Sequence, residues 1–133
     1  MQALYTLTGK VITGAGYGRR LGFPTANLDA EHYRNEKLDI PLGIYAGTAE
    51  ILGIRKTYRA GIVIGPLDAA GVPKIEAHLL DFSGDLYGKE LHLSLLRFLR
   101  PFQKFDNESS LKSKIAADLL AVRKLVALDE ATR

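Results

Sequence analysis

Cysteine is absent from all 133 residues, which excludes disulfides, thiolate metal centres and a cysteine nucleophile. An intracellular protein is compatible with that. No apolar run approaches the ~18 residues a membrane-spanning helix requires, and Met1 is not followed by a basic and then an apolar stretch of the secretory kind. Cytoplasmic residence and no membrane partner are expected. A strong excess of charge is also missing, because 18 basic and 15 acidic residues leave only +3, pI ≈ 9.2, and are interspersed along the chain. A dedicated nucleic-acid surface is therefore not indicated, and a phosphate-rich small ligand explains the mild basicity as well. No repeat, low-complexity tract or linker divides the sequence, and this length supports one hydrophobic core, so 1–133 reads as a single domain.

What the chain does have is glycine concentrated in one place. Residues 14–27 read Gly-Ala-Gly-Tyr-Gly-Arg-Arg-Leu-Gly-Phe-Pro-Thr-Ala-Asn, setting Gly14, Gly16, Gly18 and Gly22 around the adjacent Arg19 and Arg20. Glycine tolerates positive φ and close backbone approach, unpaired N–H groups in such turns cradle anions, and guanidinium groups add positive charge. A phosphate is the natural guest. The common phosphate motifs nevertheless do not match, since no Lys-Ser/Thr pair follows the last glycine and the spacing is Gly-x-Gly-x-Gly instead of Gly-x-Gly-x-x-Gly. Pro24 also forbids a continuing helix and pushes its predecessor into extended backbone.

In an extended stretch alternate side chains share a face, so Thr25 and Asn27 point the same way. A hydroxyl and a carboxamide oxygen are hard neutral ligands, suited to Mg²⁺ that arrives on a nucleotide's phosphates. The plain alternative is that both side chains only cap a turn.

The longer pattern, Gly9-Lys10-Val11, then Gly14 to Gly18, then Leu21-Gly22-Phe23-Pro24-Thr25-Ala26-Asn27, resembles the ATP-dependent riboflavin kinase family. The resemblance runs from about residue 9 to 118 and takes in Gly43-Ile44-Tyr45-Ala46. It implies riboflavin and Mg²⁺-ATP as substrates, FMN as product, a nucleotide-covering flap built on Gly14, Gly16, Gly18, Arg19 and Gly22, and Thr25 and Asn27 as ligands of the metal and nucleotide. One departure concerns the next loop. The family commonly has Asn-Ile-Gly followed shortly by Pro-Thr, whereas this chain has Val63-Ile64-Gly65-Pro66-Leu67-Asp68, which puts nucleotide contacts from that loop in doubt.

Alternation of apolar and polar residues predicts strands at 5–12, 43–50, 58–64, 74–82 and 90–99. Residues 29–41 read as a polar surface excursion, 53–57 and 83–85 as turns, and 65–73 as a loop. Short connections favour antiparallel pairing, and about six strands argue for a small closed barrel, mainly β and Greek-key-like. The period then changes: Leu111, Ile115, Leu119, Val122 and Val126 follow the cap formers Asp106, Asn107, Ser109 and Ser110, predicting one C-terminal helix over 108–128 packed on the barrel.

Glu76 is the candidate general base, on a strand whose other face carries Ile75, Ala77 and Leu79. Read without the resemblance it is more readily a solvent-facing strand glutamate. Glu76-Ala77-His78-Leu79-Leu80-Asp81-Phe82 with Asp85-Leu86-Tyr87-Gly88 resembles the family's second signature, which implies that Glu76 acts on the ribityl terminal hydroxyl. The stretch 97–105, Arg-Phe-Leu-Arg-Pro-Phe-Gln-Lys-Phe, resembles the family's flavin-side loop and implies Arg100 as a flavin contact, although Phe98, Phe102 and Phe105 also suit a core. His78 and His92 read as structural, and Asp81 and Asp85 as acceptors for turn N–H groups.

Bacterial relatives of this kind commonly carry an FMN adenylyltransferase domain, and none is expected within 133 residues. Two other readings stay open: a flavin- or nucleotide-binding barrel without catalysis, and a barrel that binds single-stranded nucleic acid.

Overall fold

The computed structural model describes residues 2–12, 22–23 and 25–128. Six strands, β1 (Tyr5–Ile12), β2 (Ala26–Leu28), β3 (Gly43–Ile51), β4 (Lys56–Leu67), β5 (Pro73–Leu79) and β6 (Glu90–Arg100), form a closed barrel in the order β1-β2-β5-β4-β3-β6. Every pairing is antiparallel. β3, β4 and β5 form a meander and β6 returns beside β3, which is the Greek-key order.

The alternation in the sequence sorts side chains to the two faces of the wall. Leu91, Leu93 and Leu95 of β6, with Ile75, Ala77 and Leu79 of β5, fill the interior together with Leu7, Tyr45 and Ile62, and none is more than 6% exposed. Such burial is the main force closing the barrel, at roughly 1.5–3 kcal/mol per large apolar side chain. Tyr45 fits inside because its hydroxyl donates to the Pro41 carbonyl at 2.6 Å.

A second, smaller cluster lies on the outside. The helix α2 (Glu108–Leu125) follows a shorter α1 (Glu31–Asn35) in the chain and starts where the Asn107 side chain accepts from the Ser110 N–H at 2.8 Å. Its Val122, with Val126 just beyond its end, packs on Ala46 and Leu80. Gly61 lets it come close, since a β-carbon there would stand 3.1 Å from the Leu119 side chain. The Arg59 Nε donates to the Val126 carbonyl at 2.6 Å and fixes the far end. Of the expected stripe, Val122 and Val126 are buried while Leu111, Ile115 and Leu119 are half-buried, and the helix ends at Leu125 and not at 128.

Three expectations need correction. β4 runs on through Pro66 to Leu67, which pairs with Pro73 across a register shift, so the 65–73 loop is tighter than proline and glycine content suggests. The 29–41 excursion contains the five-residue α1, anchored by buried Tyr33, whose hydroxyl oxygen accepts from the Ile40 N–H at 3.0 Å. Asp81 does not accept from a turn N–H; it takes a positive φ of 63° and makes a two-pronged pair with Arg123 at 3.0 Å. Asp85 does behave as a turn acceptor, from the Tyr87 N–H at 2.8 Å.

Candidate active site on the outer face of the barrel

Because Ala26 and Leu28 point inward at 7% and 4% exposure, Asn27 between them must point outward. Asn27 is the register partner of Ile12 on one side and of Glu76 on the other, Glu76 of Val63, Val63 of Ile44, and Ile44 of Arg100. One line of neighbours thus crosses all six strands on the outer surface. Directly opposed residues have Cα atoms about 4.5–5.5 Å apart. The candidate metal ligand and the candidate base are therefore adjacent. Arg100 lies three strands from Glu76 whichever way round the closed barrel is followed, on its opposite side.

The Asn27 carboxamide oxygen is the most informative atom here. It is buried and accepts no hydrogen bond among the described residues. Leaving a buried acceptor unpaired costs about 1–3 kcal/mol, which a bound donor or cation would offset. Asn27 also lines a cavity of about 460 Å³, walled by Ile12, Leu28, the 66–68 and 72–73 turn, Lys74 and Ile75. The turn is stiffened by Asp68, whose Oδ1 accepts from the Ala70 and Val72 N–H groups at 2.9 and 3.0 Å.

Glu76 is held by its own strand neighbour. Residues two apart share a face, and the Lys74 ammonium stands 2.8 Å from Glu76 Oε1, with the two side chains 46% and 22% exposed. The sequence reading passed over Lys74, although its spacing from Glu76 was visible. Val63, the other cross-strand neighbour of Glu76, is apolar and gives the carboxylate no hydrogen bond.

Thr25 is half-buried immediately before β2. Phe23, two residues earlier, sets its ring edge against His78 of β5, with centroids 6.4 Å apart at 74°. Gly22 adopts φ +89°, where a side chain would be strained, as the glycine content of the flap implied. Gly14, Gly16, Gly18 and Arg19 lie outside the described residues. His92 has the structural role expected of it, its Nδ1 lying 2.9 Å from the Thr8 hydroxyl.

Arg100 is occupied within the fold. Its Nε and Nη2 grip Asp118 of α2 at 3.0 and 2.7 Å, and its guanidinium sits 6.0 Å from the Phe105 ring. Nearby, Phe98 and Phe102 are each 43% exposed, so they line a surface and do not fill the core. The Phe102 ring stands 3.0 Å from where a β-carbon of Gly65 would be, tying this aromatic stretch to the turn that walls the cavity.

Among the described residues no three His, Asp or Glu side chains gather to hold a metal by themselves. A cation here would rest on neutral oxygens such as those of Asn27 and Thr25 and on the phosphates of a ligand. No helix among the described residues is long and apolar enough to cross a membrane.

The family model described as Flavokinase: Riboflavin kinase matches residues 1–126. A bifunctional riboflavin kinase/FMN adenylyltransferase from Pseudomonas fluorescens is 37% identical over 125 residues, covering 92% of this chain and 39% of that protein. The riboflavin kinase of Homo sapiens is 34% identical, covering 95% of this chain and 83% of the human one. Among solved structures, a Streptococcus pneumoniae chain described as a macrolide-efflux protein superposes with a TM-score of 0.78 at 30% identity, over 91% of this chain and 39% of that one. The riboflavin kinase of Trypanosoma brucei superposes with a TM-score of 0.63 at 26% identity, over 90% and 78%. The chain therefore spans about two fifths of the bifunctional bacterial relative. With a matched family model over nearly its whole length and a closed six-stranded barrel of the same fold, the chain belongs to the riboflavin kinase (flavokinase) family.

Proposed function

We propose that this domain transfers the γ-phosphoryl group of ATP to the terminal ribityl hydroxyl of riboflavin, giving FMN and ADP. The observation that carries the reading is the pairing of Asn27, with its orphaned buried oxygen, directly opposite Glu76 on the outer face of the barrel. Glu76 accepts the hydroxyl proton as the ribityl oxygen forms its bond to the γ-phosphorus, and the bond from that phosphorus to the bridging oxygen breaks with ADP as leaving group. Asn27 and Thr25 would hold Mg²⁺ carried by the nucleotide, as their oxygen donors and the unsatisfied Asn27 acceptor suit. When bound, the metal supplies charge neutralisation on the phosphates.

The chain's own residues supply position. The cavity beside Asn27 takes the phosphate chain, Gly14, Gly16, Gly18, Arg19 and Gly22 are assigned to the nucleotide by the family resemblance, and Arg100 with the exposed Phe98 and Phe102 shapes the flavin end. Arg100 does this while anchored to Asp118, so its role is to orient the 97–105 stretch as much as to touch the ring. The reaction takes place in the cytoplasm, and the next partner is an FMN adenylyltransferase, domain or separate enzyme. Incubating the chain with riboflavin, ATP and Mg²⁺ and separating the flavins by chromatography is the test. FMN and no FAD is the expected result; folded protein that consumes ATP and riboflavin at the rate of a blank would end the proposal.

A further inference from the structure

Lys74 belongs to two neighbourhoods at once. Its side chain lines the cavity that Asn27 lines, while its ammonium pairs with Glu76, which is not part of the cavity wall. The cavity otherwise offers Ile12, Leu67, Val72 and Pro73, together with Asp68, whose Oδ1 is already engaged by two N–H groups. A phosphate entering this space meets one ammonium and the Asn27 carboxamide as partners, and the Asp68 carboxylate, tied to the turn through Oδ1, as the one like charge among the lining residues. Lys74 is nearly half exposed, so its bond to Glu76 is of the weak kind that another anion can replace. A lysine stem is also flexible enough to swing between anions on its own strand face.

We propose that Lys74 exchanges partners during the reaction: it holds Glu76 while the cavity is empty and turns to the polyphosphate of a nucleoside triphosphate when one binds. The exchange frees a Glu76 lone pair at the moment a hydroxyl needs it. Lys74 is thus a nucleotide-binding residue that also positions the base, and the inference rests on the kinase reading above. Val63 explains why the task falls to Lys74, since the strand on the other side of Glu76 presents no polar group to it.

The test compares the wild-type chain with K74M, K74R and E76Q by steady-state kinetics and by titration calorimetry with Mg²⁺-ADP. Loss of one charged hydrogen bond to phosphate should raise the KM for ATP and the Kd for ADP about tenfold in K74M, with the KM for riboflavin within about twofold. K74R should recover most of that affinity, which a merely structural role would not require. E76Q, which releases the ammonium, should bind ADP about two- to fivefold more tightly than wild type, the worth of an exposed ion pair. Unchanged ADP affinity in K74M, or weaker binding by E76Q, overturns the exchange. If the wild-type chain forms no FMN, the kinase reading falls instead, and the ADP titrations still decide whether Lys74 serves this cavity.

Discussion

Asn27 stands between the inward-pointing Ala26 and Leu28, and its oxygen is shut away from water with nothing to accept among the described residues. A residue kept for stability would not be left so. Asn27→Ala should therefore leave the melting temperature unchanged or raise it, by up to about 1–3 kcal/mol of stability, while FMN formation at limiting Mg²⁺-ATP drops sharply; thermal unfolding and the FMN assay read the two effects. Tyr45 shows the opposite economy, a polar group made safe inside the barrel. Burial, with smaller contributions from Tyr5 and Tyr33, pushes its phenol from 10.0 up to about 12. The folded state thus keeps the proton longer than the unfolded one. Its contribution is fully present below pH 10 and is lost as pH rises through 12, at up to about 1.4 kcal/mol per pH unit. Tyr45→Phe should flatten that alkaline decline in denaturant unfolding. An equally steep decline in the variant would assign it to other groups.

At the scale of elements, glycine is used where two backbones must close on each other. A β-carbon on Gly47 would run into the Ser94 carbonyl at the register shift where β3 meets β6. Gly47→Ala should cost about 3 kcal/mol or more, since backbone and not a flexible side chain would have to yield. The helix start is a milder case: Asn107→Ala removes the acceptor for the Ser110 N–H and should cost about 1 kcal/mol. Urea unfolding measures both. The elements also show which signals a sequence carries. β1, β5 and β6 alternate over seven residues or more, so period two stands out, whereas the first five residues of β3 are all buried. β2 has three residues, too few for any period, and was readable only as extended backbone after Pro24. α1 is five residues held by Tyr33 from tertiary packing, which leaves no helical stripe to see.

At the scale of the whole molecule, the barrel brings separate stretches of sequence into one line of register partners. Asn27, Glu76 and Arg100 are far apart in the chain, and their shared register across the wall is set by the order β1-β2-β5-β4-β3-β6. The candidates Asn27 and Glu76 were legible as residue types in the sequence, and their adjacency came only from the pairing of β2 with β5. The i, i+2 spacing of Lys74 and Glu76 was visible, but that Lys74 also lines the cavity beside Asn27 was not, because it depends on how the 66–73 turn folds over the wall. The anchoring of Arg100 by Asp118 was equally hidden, since it needs α2 laid across the barrel. If ligands bind only the folded barrel, saturating riboflavin and Mg²⁺-ADP together at about 100 times their dissociation constants should each add about 2.7 kcal/mol, visible as a raised melting temperature.

The most direct measurement is the rate of FMN formation by folded Glu76→Gln at saturating riboflavin and Mg²⁺-ATP, with flavin binding checked by calorimetry. Turnover reduced by about 10²–10⁴-fold with riboflavin still bound is the expected result. Turnover near the wild-type rate would contradict the placement of proton transfer on this face of the barrel.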